Sequence, residues 1–390
     1  MEDFFVERGS FQWMKSVNKT IILNKIRMSE PISRAQIAKE TSLTPPTVSS
    51  IVKELMTEGL VVESTLGESS GGRKPTMLHI NSTAFFAVGV DAGPETVECV
   101  LTDLTGKIYD RSTAKLQVPI TNEAFIGTLK QAVINLFLCS GIDKEQVIGI
   151  GMAMHGVVDV DAGEVLVAPN ISLRNIRVKE LFEEEFGMTI RVENDARAMA
   201  LGESWFGGHG GVNSMVAINI GRGVGAGLVL NGKLHHGAQG IAGEFGHMTI
   251  DLHGAVCECG NQGCLQTLIS GNAIEERSIG ICGERISGEE IFALAQAGSE
   301  VHADFLSQIG EMIGIGLTNL IHLLNPDKIV LGGGVMKSEQ YLLPAIQRKI
   351  ERTALTKEAA KTEVVATSLG DDATVLGAVS LLLVELFDQS

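Results

Sequence analysis

The sequence predicts a winged helix-turn-helix head (α+β) over residues 1–80, followed by a two-lobed α/β body. Three observations carry this. The first 80 residues order as three short apolar-periodic segments and then a β-hairpin. The remainder holds two copies of strand, glycine turn, strand and Gly-Lys hairpin, and the charge divides at the same boundary. The chain of 390 residues has net charge −16, yet residues 1–80 carry 10 Lys+Arg against 9 Asp+Glu, and the other 310 carry 21 against 38. A body so acidic repels phosphate, which excludes a protein that coats nucleic acid or anionic membrane and leaves room for one local contact through the head. At 44% hydrophobic and 20% charged the chain is too apolar for intrinsic disorder. No run approaches the roughly 18 apolar residues of a membrane helix, and Met1 to Phe5 has no basic segment leading an apolar one. The expectation is a cytoplasmic protein with no membrane partner.

In the head, Val17, Ile21, Ile22 and Ile26 recur at helical spacing between Lys15 and Met28, and Pro31 marks the stop. Ser33 is a suitable N-cap for a second helix carrying Ala35, Ile37 and Ala38, with Arg34 at its start as a candidate DNA contact. Thr44 caps a third, whose first turn holds Pro45 and Pro46, where a missing N–H costs nothing. Val48, Ile51, Val52 and Leu55 form its buried stripe, leaving Pro46, Thr47, Ser49, Ser50 and Lys53 as the candidate groove-facing set. The hairpin pairs residues 60–64 with 76–80 across a Gly/Ser tip that ends in Arg73 and Lys74, cations placed to meet phosphate or the minor groove. A small helical interaction domain is the alternative reading of the same pattern.

In the body, the run from Phe85 through Asp91-Ala92-Gly93 to Gly106-Lys107 corresponds to the run from Met215 through Gly221-Arg222-Gly223 to Gly232-Lys233. This suggests a duplicated α/β unit with a cleft between its halves. Glycine turns after strands let backbone N–H groups approach a phosphate. Each can equally be a tight turn without a ligand, and the same holds for Gly332-Gly333-Gly334. Other polar groups stand at strand ends: Ala168-Pro169-Asn170, and Asn194-Asp195 leading into a helix at 196–205. Asp195 reads either as an N-cap or, with Asn194, as a pair for vicinal sugar hydroxyls.

His247 followed by Cys257, Cys259 and Cys264 gives three thiols and one imidazole, enough to close a tetrahedral shell. A closed shell has no open position for water, so the expectation is a structural zinc that fixes the loop 247–264 and the neighbouring Glu244.

Together these residues resemble the ROK family (repressors, open reading frames and kinases) over nearly the whole chain. The Gly-Glu-Phe-Gly-His…Cys-x-Cys-Gly-x-x-Gly-Cys run at 243–264 carries the resemblance, and the winged helix resembles the family's repressor branch, particularly the xylose repressors of Gram-positive bacteria. The resemblance implies an actin-like, sugar-kinase-type body. It also implies sugar-binding roles for Asn194, Asp195, Glu244 and His247, and for position 266, where the kinases have Glu and this chain has Gln266. In the kinases the residue matching Asp195 is the base that removes a proton from the attacking sugar hydroxyl.

The phosphate loops depart from the kinase pattern. Where the kinases have Asp-x-Gly-Gly-Thr-Lys, this chain has Asp91-Ala-Gly-Pro94-Glu95-Thr, and where they have Gly-Thr-Gly it has Gly221-Arg222-Gly223. Pro94 removes an N–H donor, and Glu95 sets a carboxylate against a polyanion at a cost on the order of 1 kcal/mol or more. Arg222 can attract a phosphate or block the pocket. The sequence-level expectation is a sugar-released repressor with no ATP cofactor and no catalytic residue, the alternative being an active sugar kinase with an appended DNA-binding domain. Expected partners are operator DNA, a small sugar inducer, and a second copy of the chain as a homodimer or dimer of dimers. Expected boundaries are 1–80 for the head, 81–196 for the first lobe, completed by 375–390, and 197–374 for the second lobe with the zinc loop and oligomer interface.

Overall fold

The computed structural model describes residues 11–66, 76–117, 119–210 and 212–387. The head comprises α1 (Phe11–Ser29), β1 (Ile32–Ser33), α2 (Arg34–Thr41), α3 (Pro45–Thr57), β2 (Val61–Leu66) and β3 (Thr76–Ile80), with sheet order β1-β3-β2. The wing thus has one strand more than the sequence suggests. Ser33 must be extended to cap α2 (φ −91°, ψ 155°), and this conformation lets Ile32 and Ser33 pair with β3. Ser33 Oγ accepts from Gln36 N at 3.2 Å, and Thr44 Oγ1 accepts from Thr47 N at 3.4 Å. Val48, Ile51, Val52 and Leu55 are buried as their spacing requires. Arg73 and Lys74 lie outside the described residues.

The first lobe runs β4 (Phe86–Ala92), β5 (Thr96–Asp103), β6 (Ile108–Lys115), α4 (Asn122–Ser140), β7 (Val147–Met154), a small antiparallel sheet of β8 (Val157–Asp159), β9 (Glu164–Ala168) and β10 (Leu173–Ile176), then α5 (Val178–Phe186) and β11 (Ile190–Asn194). The second runs α6 (Asp195–Phe206), β12 (Ser214–Ile220), β13 (Val224–Leu230), β14 (Lys233–Leu234), α7 (Gln266–Ile269), α8 (Gly271–Cys282), α9 (Gly288–Gln296), α10 (Glu300–Leu324), β15 (Lys328–Gly332), α11 (Glu339–Thr353) and β16 (Glu363–Ala366), and α12 (Ala373–Phe387) ends the described chain.

The two main sheets have one topology. Their orders, β11-β7-β4-β5-β6 and β16-β15-β12-β13-β14, each place an antiparallel meander beside two parallel strands. The internal repeat seen in the sequence is therefore a real duplication. Its hairpins turn at Gly106 and Gly232, with φ of 81° and 75°, the left-handed region that glycine adopts without strain.

Between the sheets lie two crossing helices. α12 covers β4, β7 and β11 of the first lobe, α6 covers β12 and β13 of the second, and the two helices pack on each other. They approach closely because the crossing is built on glycine: a Cβ on Gly377 would sit 1.9 Å from the Ala198 carbonyl oxygen, and one on Gly202 would sit 2.5 Å from that of Ala373. The head is joined to this pair. Ile22, Leu23 and Ile26 of α1 share one apolar cluster with Val379, Leu382, Leu383 and Phe387 of α12. Among the described residues no helix is long and apolar enough to cross a membrane.

Candidate functional site

A cleft of about 1370 Å³ opens between the lobes, lined by Asp91, His155, Asn170, Asn194, Asp195, Arg222, Glu244, His247 and Gln266 among others. The sequence-predicted sugar residues therefore converge on one space, although they come from the start of α6, the loop after β14 and the start of α7.

Asn194, and not Asp195, is the N-cap of α6. Its Oδ1 accepts from Ala196 N at 3.0 Å and Arg197 N at 3.1 Å, while its Nδ2 donates to the Gly156 carbonyl and to Asp195 Oδ1, both at 2.9 Å. Both Asn194 donors are thus satisfied within the protein, and the residue fixes the helix start. Asp195, the first helical residue, is left facing the cleft. Its Oδ2 is 3.2 Å from His155 Nδ1, and Asn170 Nδ2 lies 2.9 Å from His155 Nε2. In its neutral form the imidazole donates from Nδ1 to Asp195 and accepts from Asn170.

Electrostatically, the cleft floor is acidic. Burial acts to lower the His155 pKa, but the hydrogen bond to Asp195 and the charges of Asp195, Asp91 and Glu258 raise it overall. Asp91, at the end of β4, is pushed up to about 7 by burial and by the Asp195 charge, with His155 opposing. Sequence reasoning did not single out His155 or Asp91 and noted Asn170 only as a polar strand end. All three stand at or just beyond strand ends facing the cleft, the position that gathers ligands in open α/β sheets.

A network through Glu193 and Arg197, which flank Asp195, ties the start of α6 to the loop that carries Glu244. Glu193 Oε1 accepts from Arg197 Nε at 2.6 Å and its Oε2 is 2.7 Å from His236 Nε2, while Arg197 Nη1 donates to the Gly240 carbonyl at 2.6 Å. Burial acts to raise the Glu193 pKa, but the His236 hydrogen bond and the Arg197 charge bring it below the ordinary value. Glu244 itself is about half exposed, with Oε2 3.8 Å from His247 Nε2.

His247, Cys257, Cys259 and Cys264 place their ligand atoms within 4.8 Å of one another. Cys259 Sγ and Cys264 Sγ are 3.7 Å apart, as are Cys257 Sγ and His247 Nδ1. Zn–S bonds of roughly 2.3 Å set the sulfurs of a tetrahedron roughly 3.8 Å apart, so the donor set fits zinc in both chemistry and spacing. Gly260 and Gly263 form the knuckle with φ of 91° and 73°, and a Cβ on Gly263 would fall 1.5 Å from the Asp251 carbonyl oxygen. Gln266 turns towards this centre, its Nε2 donating to Cys257 Sγ at 3.3 Å. Its amide therefore supports a candidate metal ligand, a donation that a carboxylate at this position could not make.

At the mouth of the cleft the loop after β4 meets the loop after β12. Arg222 Nη2 is 2.6 Å from Glu95 Oε1, and Arg222 Nη1 donates to Asn272 Oδ1 at 2.7 Å with Glu275 Oε1 at 3.4 Å. Glu95 belongs to the first lobe and the other three to the second, so the ion pair bridges the gap.

On the head, Pro46, Ser49, Ser50 and Lys53 are exposed on one side of α3, and Thr47 is half-buried, its hydroxyl 2.8 Å from that of Thr44. Arg34 Nη2 is 2.6 Å from Glu63 Oε1 of β2, so this cation fastens α2 to the wing and is already compensated.

Residues 87–385 match the ROK family model, and residues 23–62 match a winged helix-turn-helix DNA-binding model. The chain belongs to the ROK family. Among its relatives, a xylose repressor of Bacillus spizizenii is 33% identical over 379 residues, 96% of this chain and 97% of its own. An N-acetylglucosamine repressor of Escherichia coli is 31% identical over 388 residues, 96% of this chain and 94% of its own. Among solved ROK structures, a transcriptional regulator described as a homolog of the E. coli MLC protein superposes with TM-score 0.83 at 29% identity, over 96% of this chain and 99% of that one. A ROK glucokinase from Streptomyces griseus, in complex with glucose and AMPPNP, superposes with TM-score 0.68 at 32% identity, over 76% of this chain and 98% of that one. The ROK transcriptional regulator matches nearly the whole of this chain, whereas the ROK glucokinase is covered without a match to the remaining quarter of it.

Proposed function

We propose that this ROK protein is a sugar-responsive transcriptional repressor of carbohydrate utilisation genes, acting in the cytoplasm and without kinase activity. The observation that carries the proposal is the joining of two sites by one framework. A helix with exposed hydroxyls and a cation belongs to a head whose core is continuous with α12, and α12 crosses α6, the helix that begins at the cleft. Relatives of full length that are repressors of sugar pathways support the same reading.

Sugar hydroxyls bind Asp195, Glu244 and His247, with Asn194 holding the Asp195 carboxylate and Gln266 supporting Cys257 beside His247. Asp195 spans the junction between the lobes, so occupancy favours one cleft angle over another. In a homodimer the two heads read half-sites spaced by a helical turn of roughly 34–36 Å or a multiple of it, and a change of cleft angle alters that spacing. Zinc, when bound, supplies a rigid cross-link; His247 Nδ1 and the three thiolates hold it, leaving His247 Nε2 to face Glu244. The Glu95–Arg222 pair supports the absence of ATP chemistry, because it fills the gap between the loops with a compensated ion pair where a kinase receives phosphates.

The second reading, a sugar kinase with an appended head, draws on the Asp195–His155 pair, which retains the geometry of a base and its orienting partner. Incubation of the purified protein with ATP and a panel of hexoses and pentoses decides between them. The expected result is no sugar phosphate at enzymatic rates. Product formation that Asp195→Asn abolishes would establish the kinase.

A further inference from the structure

Beyond the shared apolar core, α1 makes specific contacts with the far ends of both interlobe helices. The Arg27 guanidinium carbon lies 4.0 Å from the ring centre of Trp205 on α6 and 5.7 Å from that of Phe387 on α12. The two rings meet edge-on at 5.9 Å, and Asn24 Nδ2 donates to the Phe387 carbonyl at 2.6 Å. Arg27 Nε is buried without a hydrogen-bond partner, so ring faces are a main part of what holds this cation.

Trp205 is the last residue but one of α6, and Asp195 is its first. A helix of that length spans roughly 18 Å, so the sugar site and the Arg27 stack occupy opposite ends of one rigid rod. Its neighbour Phe206 closes over Gly106 of the first lobe, so head and both lobes meet at this end.

We infer that Arg27, stacked on Trp205 and Phe387, is the positioning residue that couples the state of the cleft to the orientation of the DNA-reading head. The inference rests on the repressor reading. α6 is seated on the second lobe's sheet and α12 on the first, so a change in lobe angle slides one past the other at their glycine crossing and moves the two rings relative to each other. A cation over both rings registers that shift, because cation–π attraction is confined to separations of about 6 Å. Loss of the stack leaves both sites intact and uncouples them.

The test uses the full-length protein and a DNA duplex selected from a random pool by the wild-type chain. Trp13→Phe leaves Trp205 as the sole tryptophan. In that background, binding of the duplex is expected to shift Trp205 emission, and Arg27→Met, which keeps an apolar stem in the site, is expected to abolish the shift while duplex affinity stays within about threefold. An unchanged emission in the Arg27 protein on binding DNA overturns the inference without touching the repressor reading, and so does a shift that survives Arg27→Met. In a second arm D-xylose, D-glucose and N-acetyl-D-glucosamine are titrated against the protein–duplex complex. The sugar that weakens wild-type binding, by about tenfold or more, is expected to weaken Arg27→Met by less than twofold, and equal release from both proteins overturns the inference. Release by none of the sugars counts against those inducers alone, and the fluorescence arm then decides the coupling. Should Arg27→Met fail to fold, Trp205→Phe with release as the readout takes its place, because a phenyl face holds the cation less strongly and must lower the coupling.

Discussion

At the residue scale, Asp91 combines two effects that oppose its ionisation, its burial and the neighbouring Asp195. An aspartate free in the unfolded chain titrates near 3.9, and here it titrates at about 7, so the folded state holds its proton over a range where the unfolded state has lost it. Stability from this group is complete below about pH 4 and is lost as pH rises through 7. His155, also raised, changes in the same direction. Asp91→Asn should therefore stabilise the protein at pH 8 by on the order of 1 kcal/mol or more and change little at pH 4, as read by urea melts at the two values. Cys259→Ser tests the metal centre. It should lower zinc content and melting temperature together, since binding free energy at such sites is folding free energy, and a metal-free variant of full stability would remove zinc from the account.

At the element scale, α3 depends on its ends as much as on its stripe. Thr44 accepts from Thr47 N and also holds the Thr47 hydroxyl, so it orders the turn that would enter a groove. Thr44→Ala should cost about 1 kcal/mol of head stability and weaken duplex binding, both measurable by thermal melts and anisotropy. The wing makes a different contribution. Removing Arg73 or Lys74 should weaken binding almost equally on all sequences and flatten its salt dependence by about one unit for each phosphate that is no longer neutralised. A steep, unchanged salt slope in both variants would take the wing out of the interface.

At the scale of the whole molecule, the duplicated sheets, the crossing helices and the docked head form one mechanical chain. A ligand that binds only the folded cleft adds stability by mass action, about 2.7 kcal/mol at a concentration one hundred times Kd. A thermal-shift screen of simple sugars should therefore reveal the inducer. Glu244→Ala should lose that shift and resist release while binding DNA as wild type does. The −16 net charge acts at this scale too. It belongs to the body and disfavours wrapping of DNA, which under the proposed function leaves the head as the contact.

The winged helix-turn-helix order, the duplication and the His/Cys cluster that could hold a metal were all legible in the amino-acid sequence. They are written in local signals: caps at Ser33 and Thr44, the period of Val48 to Leu55, paired Gly-Lys turns, and the spacing of Cys257, Cys259 and Cys264. Which residues face each other was settled by tertiary packing. Asn194 and Asp195 are both good caps in a sequence, and only the cleft shows that Asn194 caps while Asp195 is held by His155, 40 positions away. The partners Glu95 and Arg222, and Arg27, Trp205 and Phe387, are separated by more than a hundred residues each and carry no shared period. Local patterning reports the face that a residue buries, whereas a contact between distant segments is fixed by how whole elements pack, here by the close crossing of α6 and α12 at Gly202 and Gly377.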